Sequence, residues 1–272
     1  MRGLRFHKGV VYVSYFKFNK SYDCYGLSVD RAELDAEGML HFSSFYDSKK
    51  CYKSYAAGGQ IEVIGKHVFI SVGGYDSSFQ ADSNDWDNDI GSVVRLNIDG
   101  GGYEIFAKGL RNPMGLTSHE GKIFISDNGP MGGDIFSLVK RGDHFGWPSH
   151  SYGYDYSRRD FYKRPLAPDF SDPTYYFMPD IGASQVEYYS GDRFVRFKEK
   201  FLLASLGRGS LFVIDYDFTT NRVRSIEEIH LGYRIRSIFS DDEGFIWLLS
   251  DDGIIVKLGR DAADMPDPEE TK

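Results

Sequence analysis

The sequence has little of several features that mark other classes of protein. It contains no apolar run of the length that a membrane-spanning helix needs, so no segment is predicted to cross a bilayer. Positive charge is in deficit, because 32 Lys and Arg stand against 40 Asp and Glu, which gives a formal net charge of −8. A chain of this charge is a poor partner for a phosphate backbone, and nucleic acid is therefore disfavoured as a ligand.

Cysteine is scarce, with only Cys24 and Cys51 present. One disulfide and two unpaired thiols are both compatible with that number, and a disulfide would fit an oxidising compartment. Each cysteine lies at the polar end of a strand-like run in one repeat unit, so we expect the two to lie close enough to bridge. The first residues, Met1 to His7, lack the apolar region and cleavage site of a signal peptide.

Aromatic residues and glycine are abundant. Aromatics make up 16% of the chain, and 30 glycines accompany only 9 prolines. Tyr and Phe pack well on a pleated surface, and Gly supplies the positive φ that tight turns need. The composition therefore predicts an all-β protein with many short strands.

A repeat runs along the chain: a turn, then a short apolar run that closes on serine. The copies are Val10–Ser14, Val68–Ser71, Ile123–Ser126, Phe201–Ser205 and Phe245–Ser250. Units of roughly 40 to 60 residues with several strands each are typical of β-propeller blades. The nearly continuous apolar runs predict that each copy is the inner strand of a four-stranded blade, buried on both faces.

Five blades are recognisable, and residues 1–260 are predicted to form one propeller domain. An aromatic insertion from Phe145 to Tyr176 interrupts the repeat and is expected to form a loop over one face. The last residues, 261–272, are acidic and contain proline, which predicts a disordered tail. A ring of these blades is expected to be either open or closed with five members.

Three motifs follow one another in the middle of the chain. They read GLRNPMGL at 109–116, DNGPMGGD at 127–134 and GDHFGWP at 142–148, and AAGGQI at 56–61 and YRIRSI at 233–238 accompany them. The set resembles the glucose/sorbosone dehydrogenase family, the soluble aldose sugar dehydrogenases that depend on pyrroloquinoline quinone (PQQ). The resemblance implies a six-bladed propeller, of which the first blade has no counterpart here. It also implies a periplasmic or extracellular location.

The resemblance also implies two cofactors, PQQ and calcium. PQQ carries three carboxylates, which arginine can bind through two parallel hydrogen bonds. The family motifs place Arg111, Asn112, Arg234 and Arg236 at the cofactor, and Arg208 is expected to substitute in part for a lysine that is Gly207 here. For calcium, the resemblance implies the carbonyls of Gly129 and Pro130 and the carboxylate of Asp134. Without the resemblance, an Arg pair such as Arg234 and Arg236 would more often form an exposed strand face.

The resemblance fails at the catalytic base. Oxidation of a sugar at C1 needs a group that removes the hydroxyl proton as hydride leaves for the quinone. The family uses the histidine of H-x-G-G, supported by an acid that follows the next strand. Those positions are Ala56 and Gly74 in this chain, and neither side chain can accept a proton. Tyr55 or Asp76 is a possible substitute.

Other groups have competing interpretations. Asp82, Asp85, Asp87 and Asp89 could bind a second calcium ion, but their spacing favours a solvated loop. Aromatic residues of the insertion could stack on a sugar ring or simply pack together; they are Trp147, Tyr152, Tyr154, Tyr156, Tyr175 and Tyr176. His119 and His230 are expected to be structural, and His144 stands where the family motif has asparagine.

Two main functions therefore remain. The chain is either a PQQ-dependent aldose sugar dehydrogenase with weak or lost activity, or a catalytically inactive propeller that binds carbohydrate or a protein partner. A purely structural role is the weakest hypothesis. An open cavity lined by Arg111, Arg234 and Arg236 would favour a retained cofactor, and a filled centre would favour the inactive propeller.

Overall fold

A computed structural model describes residues 1–52, 58–74, 85–154, 156 and 169–259. Within these ranges every regular element is a β-strand, and the strands form five antiparallel sheets. No helix in the described part of the chain is long and apolar enough to cross a membrane. The predicted all-β propeller class is confirmed, while the predicted tail at 261–272 lies outside the described residues.

The five sheets follow one another along the sequence as blades. The first blade consists of β1 (Gly3–His7), β2 (Val10–Asn19), β3 (Cys24–Glu33) and β4 (Ser43–Asp47). The second consists of β5 (Gly58–Ile64), β6 (His67–Val72), β7 (Ser92–Asn97) and β8 (Glu104–Lys108). The third consists of β9 (Pro113–His119), β10 (Lys122–Asp127), β11 (Asp134–Val139) and β12 (Tyr175–Phe177). The fourth consists of β13 (Ala183–Tyr189), β14 (Lys200–Ser205), β15 (Ser210–Asp217) and β16 (Arg222–His230). The fifth consists of β17 (Ile235–Ser240), β18 (Ile246–Ser250) and β19 (Ile255–Leu258).

The repeated apolar runs are not the inner strands, as the sequence predicted, but the second strand of each blade: β2, β6, β10, β14 and β18. The first strands of successive blades contact one another around the centre. A second strand has a neighbour on each edge and a blade against each face, so residues such as Ile70 and Leu203 are fully buried. The first strands carry the polar side chains of the centre. Their sequences therefore lack the apolar run by which a buried strand is recognised. The fifth blade also shows three strands, not four, among the described residues.

In three of the five repeats, the serine that closes the apolar run fastens one blade to the next. The hydroxyl of Ser14 donates a hydrogen bond to the carbonyl of Gly59, at 2.5 Å, and that of Ser71 donates to the carbonyl of Pro113, at 2.9 Å. Ser126 donates in the same way to the carbonyl of Ser184. Each bond runs from a second strand to the first strand of the following blade. The repeat thus encodes the contact between blades, because a buried hydroxyl needs a partner.

The ring is open between its first and fifth blades. Consecutive blades pack through their first strands, but β1 and β17 make no comparable contact in the described ranges. Leu4 and Phe6 on β1 are consequently 62% and 65% exposed, and Ile255 on β19 is 65% exposed. Of the two predicted forms of the ring, the structure has the open one.

The two cysteines form a disulfide, as expected. Cys24 and Cys51 are bridged with their Cα atoms 5.5 Å apart, and no free cysteine occurs. Cys24 begins β3, and the backbone of the next residue, Tyr25, pairs with that of Tyr52. The bridge therefore holds the chain segment that leaves the first blade against that blade.

Candidate cofactor site at the channel mouth

The topology gathers the motif residues at one end of the centre. In an antiparallel blade, the start of the first strand and the end of the second lie at the same edge. Three backbone hydrogen bonds close this edge: Asn128 N–H to Asn112, Leu206 N–H to Gly182, and Asp251 N–H to Arg234. We call this end the channel mouth. It comprises Arg2, Asn112, Gly182 and Arg234 before the first strands, and Gly73–Gly74, 128–133, 206–208 and 251–253 after the second strands.

Arg111 is buried beside the mouth, with only 2% of its surface exposed. Its Nη1 donates to the carbonyls of Asn128 and Gly129, both at 2.7 Å, and its Nη2 donates to the hydroxyl of Tyr156 at 2.5 Å. The guanidinium carbon lies 5.4 Å from the ring centre of Trp147, within the range of a cation–π contact. In this arrangement Arg111 fixes the turn after β10.

Asp127 anchors the Arg-Asn motif from below. One carboxylate oxygen accepts the backbone N–H of Arg111 at 2.9 Å, and the other accepts that of Asn112 at 2.5 Å. Burial raises the pKa of Asp127 to about 7, and the two N–H bonds and the Arg111 charge oppose that rise. Sequence reasoning did not single out Asp127, although it is the first residue of the stretch DNGPMGGD at 127–134.

Asp134 holds the same turn from its other side. One of its oxygens accepts the N–H of Gly129 at 2.8 Å, and the other accepts those of Ile181 at 3.0 Å and Ala183 at 2.9 Å. Burial raises the pKa of this carboxyl. The structure thus places Asp134 as an acceptor for three backbone groups, and its expected role as a calcium ligand stays a prediction.

The expected calcium donors include carbonyls in a glycine-rich turn, which are suitable ligands by their chemistry. In this structure, however, the carbonyl of Gly129 already faces the Arg111 guanidinium at 2.7 Å. A divalent cation at that oxygen would lie against a positive charge of the protein. The described residues also contain no cluster of three His, Cys, Asp or Glu side chains that could hold a metal. The arrangement seen here therefore does not fit calcium.

Gly74 lies directly against Arg111. Its N–H donates to the carbonyl of Arg111 at 2.8 Å, and its own carbonyl accepts the indole N–H of Trp147 at 2.9 Å. Gly74, which stands where the family has its acid, is thus part of the mouth but contributes only backbone atoms to it. Ala56, at the position of the family's base, lies outside the described residues, as do Tyr55 and Asp76.

Arg234 and Arg236 form a second group of cations at the mouth. Both guanidinium groups bind one carboxylate, Asp251, with Arg234 at 3.2 Å, and Arg234 also donates to the carbonyl of Leu206 at 3.0 Å. Their side chains are 57% and 41% exposed. Arg208 is exposed on the turn after β14. One carboxylate cannot neutralise two arginines, so this group keeps a net positive charge.

Arg2 connects the two groups, and sequence reasoning missed it. Its Nε donates to the carbonyl of Gly58 at 3.2 Å, and the N–H of Gly58 lies 3.4 Å from the amide oxygen of Asn112. On its other side, Arg2 is close enough to Arg236 for the two charges to repel. The signal available was its position, one residue before a first strand, which Asn112 and Arg234 share.

A polar belt lies deeper in the centre. Arg5 on β1 forms an ion pair with the buried Glu62 on β5 at 2.8 Å, and Ser118 on β9 donates to the same carboxylate oxygen at 3.0 Å. Across the centre, Ser240 donates to Glu187 on β13. Burial raises the pKa of Glu187 to about 7, with the charge of Glu62 adding to the rise and that of Arg5 opposing it.

Several of the remaining candidates have contacts within the fold. Asp89 is buried and accepts hydrogen bonds from Tyr46 and from the N–H of Lys49, while Asp85 accepts bonds within its own turn. Asp82 lies outside the described residues. His119 stacks on Tyr188 with ring centres 3.6 Å apart, and burial lowers its pKa.

The aromatic residues of the insertion divide into buried and exposed members. Trp147 is buried, and Tyr152 stacks on Tyr176 with ring centres 4.3 Å apart. Tyr156, by contrast, is 63% exposed where it covers Arg111. Of the two aromatic rings that contact the Arg111 guanidinium, Trp147 is therefore buried and Tyr156 is exposed.

Comparison with known proteins agrees with this architecture. The aldose sugar dehydrogenase YliI of Escherichia coli (strain K12) is 25% identical over 215 residues, which cover 72% of this chain and 57% of that protein. A glucose dehydrogenase crystal structure superposes with a TM-score of 0.83 and 25% identity over 93% of this chain and 79% of that chain. The PQQ-bound aldose sugar dehydrogenase of Streptomyces coelicolor shares the fold, with a TM-score of 0.68 and 18% identity over 89% of this chain and 69% of that one.

The family assignment rests on most of the chain. This chain spans little more than half of the length of the curated E. coli relative. The model of the glucose/sorbosone dehydrogenase family, however, matches residues 5–257, a range that extends from the first blade into the fifth. The chain therefore belongs to the glucose/sorbosone dehydrogenase family.

Proposed function

We propose that this chain binds PQQ at the channel mouth and is related in function to the aldose sugar dehydrogenases, with catalytic activity that is weak or lost. The observation that carries the proposal is the contrast within the mouth. Arg234 and Arg236 supply exposed guanidinium groups suited to carboxylates, while Gly74 supplies no proton acceptor. The contrast supports a site that still binds the cofactor but has no side chain at Gly74 to assist proton removal.

The residues of this chain have separate roles in the proposal. Asp251 holds Arg234 and Arg236 in place, so that each can turn a remaining N–H toward a carboxylate of the cofactor. Arg111 and Asp134 fix the turn at Gly129, and Asn112 lies beside Gly58. Bound PQQ would supply hydride acceptance from C1 of a sugar. Calcium has no part in the proposal, because Arg111 already faces the Gly129 carbonyl.

The decisive experiment restores the family's base and acid at positions 56 and 74. We expect the chain as given to show little or no oxidation of aldoses with added PQQ, because loss of a general base typically costs about 10²–10⁴-fold in rate. The double variant Ala56→His, Gly74→Asp should recover activity. The backbone at Gly74 lies outside the left-handed region, so aspartate causes no backbone strain there.

A matched control separates the base from a mere change in size. The double variant Ala56→Gln, Gly74→Asn has side chains of similar bulk that cannot accept the proton, and we expect it to remain inactive. Dye-linked oxidation of glucose and other aldoses measures all three proteins. Robust turnover by the unmodified chain would show that another group is the base, and the reading of Ala56 would be wrong.

The second candidate function is a catalytically silent propeller that binds a carbohydrate or a protein partner. The exposed ring of Tyr156 beside the mouth favours it, since aromatic rings commonly pack on sugars. Tight PQQ binding without activity in either the unmodified chain or the histidine-containing variant would shift the weight to this function. In both cases the disulfide favours a periplasmic or extracellular location.

A further inference from the structure

Arg2 is held rigidly at the channel mouth. Its backbone N–H donates to the carbonyl of Ser14 at 2.7 Å, and its own carbonyl accepts a bond from the amide of Gln60. Its guanidinium donates through Nε to the carbonyl of Gly58 and lies 5.6 Å from the ring centre of Phe16. These contacts fix both the backbone and the side chain, so little conformational freedom is left to lose when a ligand binds.

The neighbouring strand is shaped to admit this arginine. Gly59 has a φ of +97°, and a Cβ at that residue would come within 2.6 Å of the Cβ of Arg2. Only glycine combines this conformation with such a close approach. The second glycine of the family's H-x-G-G motif thus has, in this chain, the added consequence of seating Arg2 at the mouth.

Arg2 also meets a charge of its own sign. Burial lowers the pKa of Arg2, and the positive charge of Arg236 on the opposite side of the opening lowers it further. Both Nη atoms of Arg2 lack a hydrogen-bond acceptor in the part of the chain that the structure describes. Like charges repel, and an anion bound by both Arg2 and Arg236 would reduce that repulsion.

We propose that Arg2 and Arg236, from the first and fifth blades, together bind one carboxylate of the cofactor across the opening of the ring. This inference rests on the proposed function for the identity of the ligand. Arg2 contributes the fork of its two free Nη groups, and Arg236 contributes the N–H groups that Asp251 does not use. Arg2 is thereby a binding residue in the blade that carries none of the family's cofactor motifs.

The chain offers a closely matched control in Arg31. Arg31 also lies in the first blade, donates one hydrogen bond to a backbone carbonyl of the second blade (Ile98, at 2.6 Å) and stacks on an aromatic ring (Phe45, at 5.8 Å). It differs from Arg2 in lying on β3, away from the mouth. Arg31→Gln therefore removes the same charge and the same kinds of contact without altering the proposed site.

The test measures binding of two carboxylate probes, PQQ and the redox-inert tricarboxylate citrate, by isothermal titration calorimetry. We expect Arg2→Gln to weaken both by about 10–100-fold, as for loss of a hydrogen bond between charged groups, and Arg2→Lys to restore part of the affinity. Arg31→Gln should bind both probes like the unmodified chain. Urea unfolding of each variant verifies that the fold is intact.

The outcomes separate this inference from the proposed function. If the unmodified chain binds citrate in an Arg2-dependent way but does not bind PQQ, the anion site stands and the proposed cofactor is wrong. If Arg2→Gln binds both probes as tightly as the unmodified chain, the inference is overturned. Equal weakening by Arg31→Gln would overturn it as well, because the effect would then be one of overall charge. Failure of the unmodified chain to bind either probe would overturn both.

Discussion

The two groups of arginine at the channel mouth differ in nearly every physical respect. Arg111 is 2% exposed, and its guanidinium donates to two backbone carbonyls and a tyrosine hydroxyl. Arg234 and Arg236 are about half exposed and share a single carboxylate. Arg111 directs its N–H donors at groups of the protein, whereas Arg234 and Arg236 keep N–H donors that can bind a ligand.

The difference shows that arginines from two motifs of the same family can have different consequences. A buried guanidinium is costly to desolvate, so the protein must supply hydrogen-bond acceptors to it, and the bonds then stabilise the turn that carries those acceptors. An exposed pair gains little stability from its ion pair, because water screens the charges. Arg111 should therefore matter most for folding, and Arg234 and Arg236 should matter most for binding.

The largest effect on stability is expected from Arg111→Met. The change leaves the carbonyl of Asn128 and the buried carbonyl of Gly129 without their donor, and we expect a loss of about 2–4 kcal/mol in the free energy of unfolding. Arg234→Met, the matched change in the exposed group, should cost no more than about 1 kcal/mol. Urea denaturation measures both. Equal losses would remove the distinction between the two groups.

A smaller effect concerns Glu187 in the polar belt below the mouth. Its pKa rises from 4.5 to about 7 on folding, so between these values the folded protein binds more protons than the unfolded chain. Stability from this group is therefore highest at low pH and falls as the pH rises through that window. Glu187→Gln stays neutral and should be more stable than the unmodified chain at pH 8, by about 1–3 kcal/mol.

The measurement for Glu187 is the free energy of unfolding between pH 4.5 and 8. Part of the slope should remain in the variant, because Asp127 also has a raised pKa, of about 7, and acts in the same direction. Glu243→Gln, on an exposed turn, is the control and should leave the slope unchanged. If the free energy of unfolding of Glu187→Gln changed with pH as steeply as that of the unmodified chain, folding would not raise the pKa of Glu187.

The sequence was sufficient to predict the repeat but not the order of strands. Apolar runs such as Val68–Ser71 identify strands that are buried on both faces. Second strands are buried in this way, so the pattern does not distinguish them from innermost strands. The first strands, which carry Arg5 and Glu62, have no apolar pattern because they line a polar centre. Only the pairing of β5 with β6, and the contacts among first strands, establish which strand is innermost.

The site was predictable at the level of motifs. The Arg-Asn and Arg-x-Arg motifs identify residues that the topology places at one edge, but spacing does not reveal what a side chain touches. The hydrogen bonds of Arg111 and Asp134 join them to backbone groups 5 to 49 residues away along the chain. Arg2 could not be found from a motif, because its position relative to Arg236 depends on how the first and fifth blades are placed around the ring.

The most direct test of the contrast is an equilibrium titration with PQQ of the unmodified chain and of Arg236→Gln, each with and without a calcium chelator. If the exposed arginines hold the cofactor, Arg236→Gln weakens binding by about 10–100-fold, and the chelator changes the affinity by less than about 2-fold, which corresponds to less than about 0.4 kcal/mol. Binding that the chelator abolishes and that Arg236→Gln leaves unchanged would contradict the account, and would assign the cofactor to a calcium ion at the Gly129 turn.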